Sequence, residues 1–431
     1  MRIDSHSEDK ILFGEKALPF NFPEDWEREI LFPNPSVALD DPVKSTTEAL
    51  AHPILGLPLQ RTVTSGQKIA IVVSDITRLW VKPALFLPPL LQVLDRQGVR
   101  SEDVVLIVAT GSHRDNSPEE IQTLVGKEVF QNYRIVNHHA KDGEELIRLG
   151  RTSRGTEVWI NRHAAEADVV IVTGGISFHS LSGFSGGRKG ILPGISGYET
   201  IQQNHRLSLR EGGGVLETVK KGVLEGNPVA DDMLEAARMI PNTFLFNVVM
   251  NEEGKMVQAV SGDLEKAHLE GCRTVKEMSS VFIKERRGVV LASPGGFPWD
   301  ISLYQSIKTL ENASYAVNEG GTILLVSECR DGVGPPDWVE WFELGKEEEI
   351  ERQLRRAFTI PGFIALKTVS ITRRFRVILV SRLKSEWVKK IGMIPASSID
   401  DAIRHAKEGR GSGARSIFMP HGSFVLPIYR L

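Results

Sequence analysis

The sequence predicts an α/β protein with mostly parallel sheets, and three observations carry that prediction. Apolar runs of strand length recur as IAIVV (69–73), DVVLIVA (103–109), ADVVIVT (167–173), GVVLAS (288–293) and GTILLVS (321–327). Continuous Val/Ile runs of this kind suit strands buried on both faces of a sheet, which is the situation of parallel strands covered by helices. Each run is followed by a polar or Gly-rich turn and then by a segment of helical length. With 41% hydrophobic and 25% charged residues, the composition is that of an ordinary globular chain and excludes disorder over most of it.

Taken in order, the first sixty or so residues are rich in Pro and charge, with Asn34-Pro35, Asp41-Pro42 and His52-Pro53 as turn signals. After the third run, VADDMLEAARMI (229–240) reads as an amphipathic helix and FLFNVVM (244–250) as a strand. Leu264–Glu285 reads as a long helix of mixed charge, with a domain boundary near its end. EEEIERQLRRAF (347–358) is a charged helix, RFRVILVS (374–381) a strand, Gly409–Gly413 a flexible turn, and FVLPIY a last strand. At roughly 150 residues per domain the length gives about three domains, and two large α/β domains fit equally well.

The charge balance of 52 Lys+Arg against 55 Asp+Glu argues against nucleic acid or an anionic membrane as the main partner. Cys272 and Cys329 are far apart in the chain and encode neither a disulfide framework nor a thiolate zinc site. The N-terminus carries acids and lacks the basic start and apolar run of a secretory signal. No stretch approaches the ~18 apolar residues of a membrane span. A cytoplasmic protein is expected.

Ligands of open α/β sheets bind beyond the carboxyl ends of the strands, where loops and helix N-termini gather. Ser74-Asp75-Ile76-Thr77-Arg78 follows the first run, Thr110-Gly111-Ser112-His113-Arg114 the second, and Gly174-Gly175-Ile176-Ser177-Phe178-His179 the third. Asp75 and Thr77 could equally be helix N-caps. A solitary histidine at a strand end is usually structural, but His113 and His179 follow two strands of one sheet. The pair His138-His139 reads as structural, with nothing nearby in sequence to partner it.

The densest segment is HSLSGFSGGRKGILPGISGYETIQQNH, from His179 to His205. Its glycines, Gly186 and Gly187 among them, would let backbone approach an anionic ligand. The segment fails the Walker pattern, because Arg188 and Gly190 fall where Gly and Ser/Thr are required. Lys189 could be a phosphate-binding point charge, a surface lysine or a covalent attachment site. His205, in the helical reading ETIQQNH, could be a helix-surface residue or a single metal ligand. Downstream, Leu303–Lys308 looks like the first turns of a helix, with Gln305 and Lys308 on one face.

Together these motifs resemble the nickel-dependent lactate racemase family. The resemblance rests on SDITR (74–78), ATGSHR (109–114), the block 179–205, EGNPV (225–229) with LEAAR (234–238), and PGGFPWDISLYQSIK (294–308). It implies two α/β domains with the active site in the cleft between them. The first would span residues 1–280, with 410–431 returning to it, and the second 285–405. It also implies a nickel-pincer nucleotide, a pyridinium mononucleotide bearing nickel, covalently attached at Lys189, with His205 as the protein ligand to the metal. By the same resemblance His113 and His179 would be the acid/base pair, and Asp75, Gly186, Gly187 and Arg188 would support the cofactor. Arg78, Tyr304, Gln305 and Lys308 would hold the substrate. Cofactor-synthesis enzymes become expected partners, and a small 2-hydroxy acid the expected substrate.

These residue types suit the chemistry. Carbon 2 of a 2-hydroxy acid is a weak acid beside an ionised carboxylate, so removing hydride together with the hydroxyl proton is the easier route to a planar 2-keto acid. A histidine for each stereoisomer can exchange that proton near neutral pH. The chain departs from many relatives in Leu79-Trp80, where they continue with Pro, and it places Trp299 in the Gly-Gly loop. These bulky residues could reshape a pocket for a larger acid or pack in the core. A non-catalytic carrier of a phosphorylated metabolite or of the cofactor is the alternative; it shares the Gly-rich loop and leaves the two histidines without a purpose.

Overall fold

The computed structural model describes residues 9–408 and 413–429, so most of the turn expected at Gly409–Gly413 lies outside the described residues. The chain divides into two compact units, Ser36–Met278 and a second formed by residues up to Pro35 together with those from Ser279 onward.

The unit Ser36–Met278 is built on a six-stranded sheet of β1 (Ile69–Ser74), β2 (Val104–Ala109), β3 (Arg134–Asn137), β4 (Val169–Ile176), β5 (Thr243–Met250) and β6 (Met256–Gly262). Their spatial order is β6-β5-β4-β1-β2-β3. Only the β5–β6 pair is antiparallel. The predicted runs thus become adjacent parallel strands, and all eight residues of β4 are buried, as a doubly covered sheet requires. On one face Ile69, Ile71, Val73, Leu106 and Val108 join a core with Phe86 of helix α1 (Pro83–Arg96), whose ring lies 5.1 Å from that of Phe246. From β1 the chain steps outward through β2 to β3, then returns to lay β4 on the other side of β1. That reversal makes the carboxyl ends of β1 and β4 the switch point of the sheet, where loops diverge and leave a crevice.

The second unit has an all-parallel sheet of β7 (Arg287–Ala292), β8 (Val317–Val326), β9 (Arg376–Val380), β10 (Ile394–Ala396) and β11 (Arg415–Met419), with Glu27–Ile30 as its last strand. Its side chains alternate between two cores: Val289, Leu291, Leu324 and Val326 enter one, while Val290, Ala292, Ile323 and Leu325 enter the other. Period-two alternation of apolar residues onto both faces is what turned these strands into continuous apolar runs.

Two expectations are corrected here. Residues 410–431 were expected to return to the first domain, but β11 lies between β7 and Glu27–Ile30 in the second sheet. Both edges of this buried strand find a ladder there, so Glu27–Ile30 joins the sheet of the C-terminal unit as well. The helix expected over 264–285 stops at Ser279, as α4 (Lys266–Ser279), and Ser280–Ile283 pairs in parallel with Leu426–Tyr429. A β-branched and aromatic segment took the ladder partner that a helix could not offer it.

Candidate active site

Asp75 follows β1 directly and occupies the N-cap position of the short 3₁₀ helix Ile76–Val81, yet its side chain caps nothing. Its buried carboxylate instead accepts a hydrogen bond from His113 Nδ1 at 2.5 Å and one from Thr77 Oγ1 at 2.6 Å. Thr77 Oγ1 in turn accepts from the Arg78 guanidinium at 2.5 Å. Burial opposes the charged form of Asp75, but the His113 hydrogen bond, the positive charges of His113 and Arg78, and Thr77 together hold its carboxyl below the ordinary 3.8. A carboxylate can only accept, so His113 Nδ1 carries the proton and a neutral ring has its lone pair on Nε2.

His179 sits at the end of β4, on the small hairpin Phe178–His179 against Gly183–Phe184. Its Nδ1 accepts from the backbone N–H groups of Leu181 and Ser182 at 3.2 and 3.3 Å and faces the Ser182 hydroxyl at 3.1 Å. The proton of the neutral ring therefore resides on Nε2, which lies 3.4 Å from Lys189 Nζ. Lys189 is half-buried on the turn Gly187–Gly190. Desolvation, reinforced by the charge of Arg78, pushes its amine down to about 7. His205, buried on α2 (Tyr198–Arg206), is pushed down to about 3 by burial and by the charge of Lys189. Hydrogen bonds and charge coupling thus tie Asp75, Thr77, Arg78, His113, His179, Lys189 and His205 into one constellation at the switch point.

The Gly-rich loop earns its glycines differently from the expectation. Gly187, at φ +53°, lies so close to the His268 ring that an added Cβ would stand 2.6 Å from it, and its N–H donates to Asn247 Oδ1 at 2.7 Å. Gly186, at φ +70°, would bring a Cβ to 2.6 Å from the same Asn247 oxygen. Both glycines press the loop onto the core. Arg188, expected to support the cofactor, has a buried side chain with partners inside the protein. Its buried guanidinium donates to the Ala230 carbonyl at 3.2 Å and to His268 Nδ1 at 3.1 Å, while His268 Nε2 donates to the Ser185 carbonyl. Arg188 braces the loop from beneath, leaving its neighbour Lys189 on the exposed side.

His138 is buried and structural as expected, bonded to Ser196 O and Asn161. His139 does have partners, Glu145 at 2.9 Å and Asp115 at 3.2 Å, and Glu145 lies close along the chain, which corrects the expectation that nothing nearby partners it. Trp80 packs against the core of its unit, and Trp299 stands edge-on to Phe424 with ring centroids 4.9 Å apart. In the second unit α5 (Leu303–Ser314) opens at Ser302, and Lys308 Nζ donates to Gln305 Oε1 at 2.9 Å, so the two share a face as expected. Tyr304 stands edge-on to Trp338 at 5.3 Å. Sequence reasoning missed Asn204, Asp232 and His268; only the adjacency of Asn204 to His205 could have pointed to any of them.

Among the described residues no group of three or more His, Cys, Asp or Glu is placed to hold a metal ion. None of the described helices is long and apolar enough to cross a membrane. A metal at this site would take most of its ligands from a bound group and one imidazole from the chain. His205, neutral and buried, suits that donor set, and a partly deprotonated Lys189 amine suits covalent attachment.

Fold and constellation define an α/β protein with a cluster of titratable side chains at the carboxyl edge of a mostly parallel sheet. Residues 13–214 match the lactate racemase N-terminal domain and residues 283–426 the lactate racemase C-terminal domain. The chain is 32% identical over 428 residues to a lactate racemase of Thermoanaerobacterium thermosaccharolyticum, covering 97% of this chain and 98% of that one. It is 32% identical over 393 residues to a lactate racemase of Lactiplantibacillus plantarum, covering 89% and 90%. The structure of the Thermoanaerobacterium lactate racemase apoprotein superposes with a TM-score of 0.88 at 30% identity, over 99% of this chain and 100% of that one. A Thermotoga maritima protein at 18% identity and TM-score 0.66, over 90% and 99%, shares the fold. The chain belongs to the lactate racemase family. It is an isomerase, a racemase or epimerase of 2-hydroxy acids.

Proposed function

We propose that this isomerase inverts carbon 2 of a small 2-hydroxy acid with a nickel-pincer nucleotide covalently held by Lys189 and ligated through His205. The observation that carries this reading is the coupled set at the switch point, in which Asp75 orients His113 while His179 faces the partly deprotonated Lys189 amine at 3.4 Å. When bound, the cofactor supplies the electrophilic carbon that accepts hydride from carbon 2 and returns it to either face of a planar 2-keto acid.

The chain's own residues do the rest. His113, held by Asp75 through Nδ1, offers Nε2 as the base for the substrate hydroxyl proton. His179 keeps Nδ1 engaged by the Leu181 and Ser182 N–H groups, so Nε2, 3.4 Å from Lys189 Nζ, is the nitrogen that would exchange a proton with the substrate oxygen. Arg78 offers a guanidinium to the substrate carboxylate, and Gln305, Lys308 and Tyr304 are assigned to the same task by resemblance. Gly186 and Gly187 set the course of the loop that carries Lys189.

Co-expression with the cofactor-making enzymes, followed by intact mass of the wild-type chain and of Lys189→Ala, tests the reading. The expected result is an adduct lost in the variant and exchange at carbon 2 of at least one acid in a panel. No adduct and no exchange would overturn it.

A further inference from the structure

Asn204 and His205 are neighbours on α2, and both side chains are buried. Asn204 Oδ1 lies 3.0 Å from His205 Nδ1. The orientation of the amide is fixed from its other end. Asn204 Nδ2 donates to the Val229 carbonyl at 3.1 Å and to Asp232 Oδ2 at 2.9 Å, and both partners only accept. The oxygen must therefore face the ring. Since an amide oxygen only accepts, Nδ1 carries the proton, and the lone pair of a neutral imidazole resides on Nε2.

Asp232, on α3 (Pro228–Ala237), is itself anchored by acceptor bonds. Its Oδ1 accepts from Thr152 Oγ1 at 2.5 Å and its Oδ2 from Thr156 Oγ1 at 2.8 Å. Thr152 Oγ1 also accepts from the Thr156 backbone N–H at 3.1 Å, which orients that hydroxyl toward Asp232. All four residues, Thr152, Thr156, Asn204 and Asp232, are buried at 4% exposure or less. Every bond in the series points toward the Asp232 carboxylate: the threonine hydroxyls and the Asn204 N–H donate to it, and the ring N–H of His205 donates to the Asn204 oxygen.

We propose that Asp232 and Asn204, anchored by Thr152 and Thr156, are positioning residues that lock His205 in the Nδ1–H tautomer and so reserve Nε2 for a metal. The inference rests on the reading of His205 as the metal ligand. Mere packing of α2 on α3 would need these contacts but not their common polarity. Partners behind a metal-bound imidazole ordinarily fix its tautomer and ring angle, and losing them costs about 10–100-fold in metal affinity.

The test uses the full chain without cofactor, labelled with nitrogen-15. Two-bond proton–nitrogen correlation spectra report which ring nitrogen is protonated, with His205→Gln identifying the resonances. The wild type is expected to show His205 protonated at Nδ1 and bare at Nε2. Asn204→Leu should shift His205 toward the Nε2–H form or a mixture. Asp232→Asn keeps the shape while replacing one acceptor oxygen with a donor NH2, and should do the same if the leucine variant fails to fold. A wild-type ring protonated at Nε2, or an unchanged tautomer in both variants, overturns the relay. In chains co-expressed with the cofactor-making enzymes, nickel per Lys189 adduct should fall about 10–100-fold in affinity in Asn204→Leu. If His205→Ala retains nickel at the wild-type level, the ligand reading itself fails, whatever the spectra show.

Discussion

Lys189 should be the lysine of this chain most readily acylated near neutral pH. Desolvation and the charge of Arg78 lower its amine from 10.5 to about 7. At pH 7 about half of it is the free, nucleophilic amine, against about one part in 3,000 for an unperturbed lysine, since each pKa unit is a factor of ten. The reactive population is therefore larger by on the order of a thousandfold. Partial burial reduces access to a reagent, so the pH midpoint rather than the extent of labelling is the readout. The empty chain would be pulsed with limiting acetic anhydride between pH 6 and 10, digested, and quantified lysine by lysine by mass spectrometry. Labelling of Lys189 should level off above about pH 8, while surface lysines keep rising toward pH 10. Arg78→Gln should move the Lys189 midpoint upward by removing a neighbouring charge. A midpoint indistinguishable from that of surface lysines would refute the reasoning and, with it, the physical basis for attachment at this residue.

The same shift has a stability consequence. Between pH 7 and 10.5 the unfolded chain binds the Lys189 proton that the folded chain has released, so this group's contribution to stability rises with pH across that window. Lys189→Met should raise the unfolding free energy from urea titration at pH 6–7 by about 1–3 kcal/mol after allowing for partial solvation, with the gain fading toward pH 10.5; a pH-independent effect would contradict it. Asp75→Asn should lower turnover of the 2-hydroxy acid substrate about a hundred- to ten-thousandfold by releasing His113 from its working tautomer, and unchanged kcat would remove Asp75 from the mechanism. Because the Asp75 carboxyl is lowered from 3.8, the stability it confers is present above that pH and lost as pH falls through its folded value; the variant should therefore narrow the acid-unfolding difference seen by circular dichroism. Gly187→Ala would set a Cβ 2.6 Å from the His268 ring at a φ of +53° and should cost about 2–4 kcal/mol in urea unfolding. A loss below about 0.5 kcal/mol would mean the loop yields more easily than its packing implies.

The strands were legible because burial on both faces writes itself as an unbroken apolar run, as at β4, and several candidate site residues stood out because they follow those runs directly, as Asp75 follows β1. What escaped was whatever depends on distant partners. Arg188 stands beside Lys189 and shares its charge, yet it is committed to the core by a carbonyl and a histidine some 40 and 80 positions further on. Ser280–Ile283 looked like the end of a helix until Leu426–Tyr429 supplied a ladder. The glycines at 186 and 187 suggested a ligand, and nothing in the local sequence showed that Asn247 and His268 also press on them. Direction of side chain, parallel pairing and close backbone approach are all properties of the folded surroundings, and local spacing carries no record of them.

The electrostatics of the constellation explain why so many basic residues can share one desolvated place. Arg78 cannot give up its proton, so the conflict is settled by its neighbours. Burial, helped by Arg78, deprotonates Lys189; burial, helped by Lys189, keeps His205 neutral. Asp75 offsets part of the remaining charge and in doing so fixes the proton of His113 on Nδ1. The outcome is a nucleophilic amine, an imidazole bearing a lone pair, and two further imidazoles whose outward nitrogens differ in protonation. Under the proposed function, covalent attachment would use the first of these states, metal ligation the second and proton exchange the last two. No residue would have to be tuned for its task alone, because the desolvation that lowers the Lys189 amine also keeps His205 neutral.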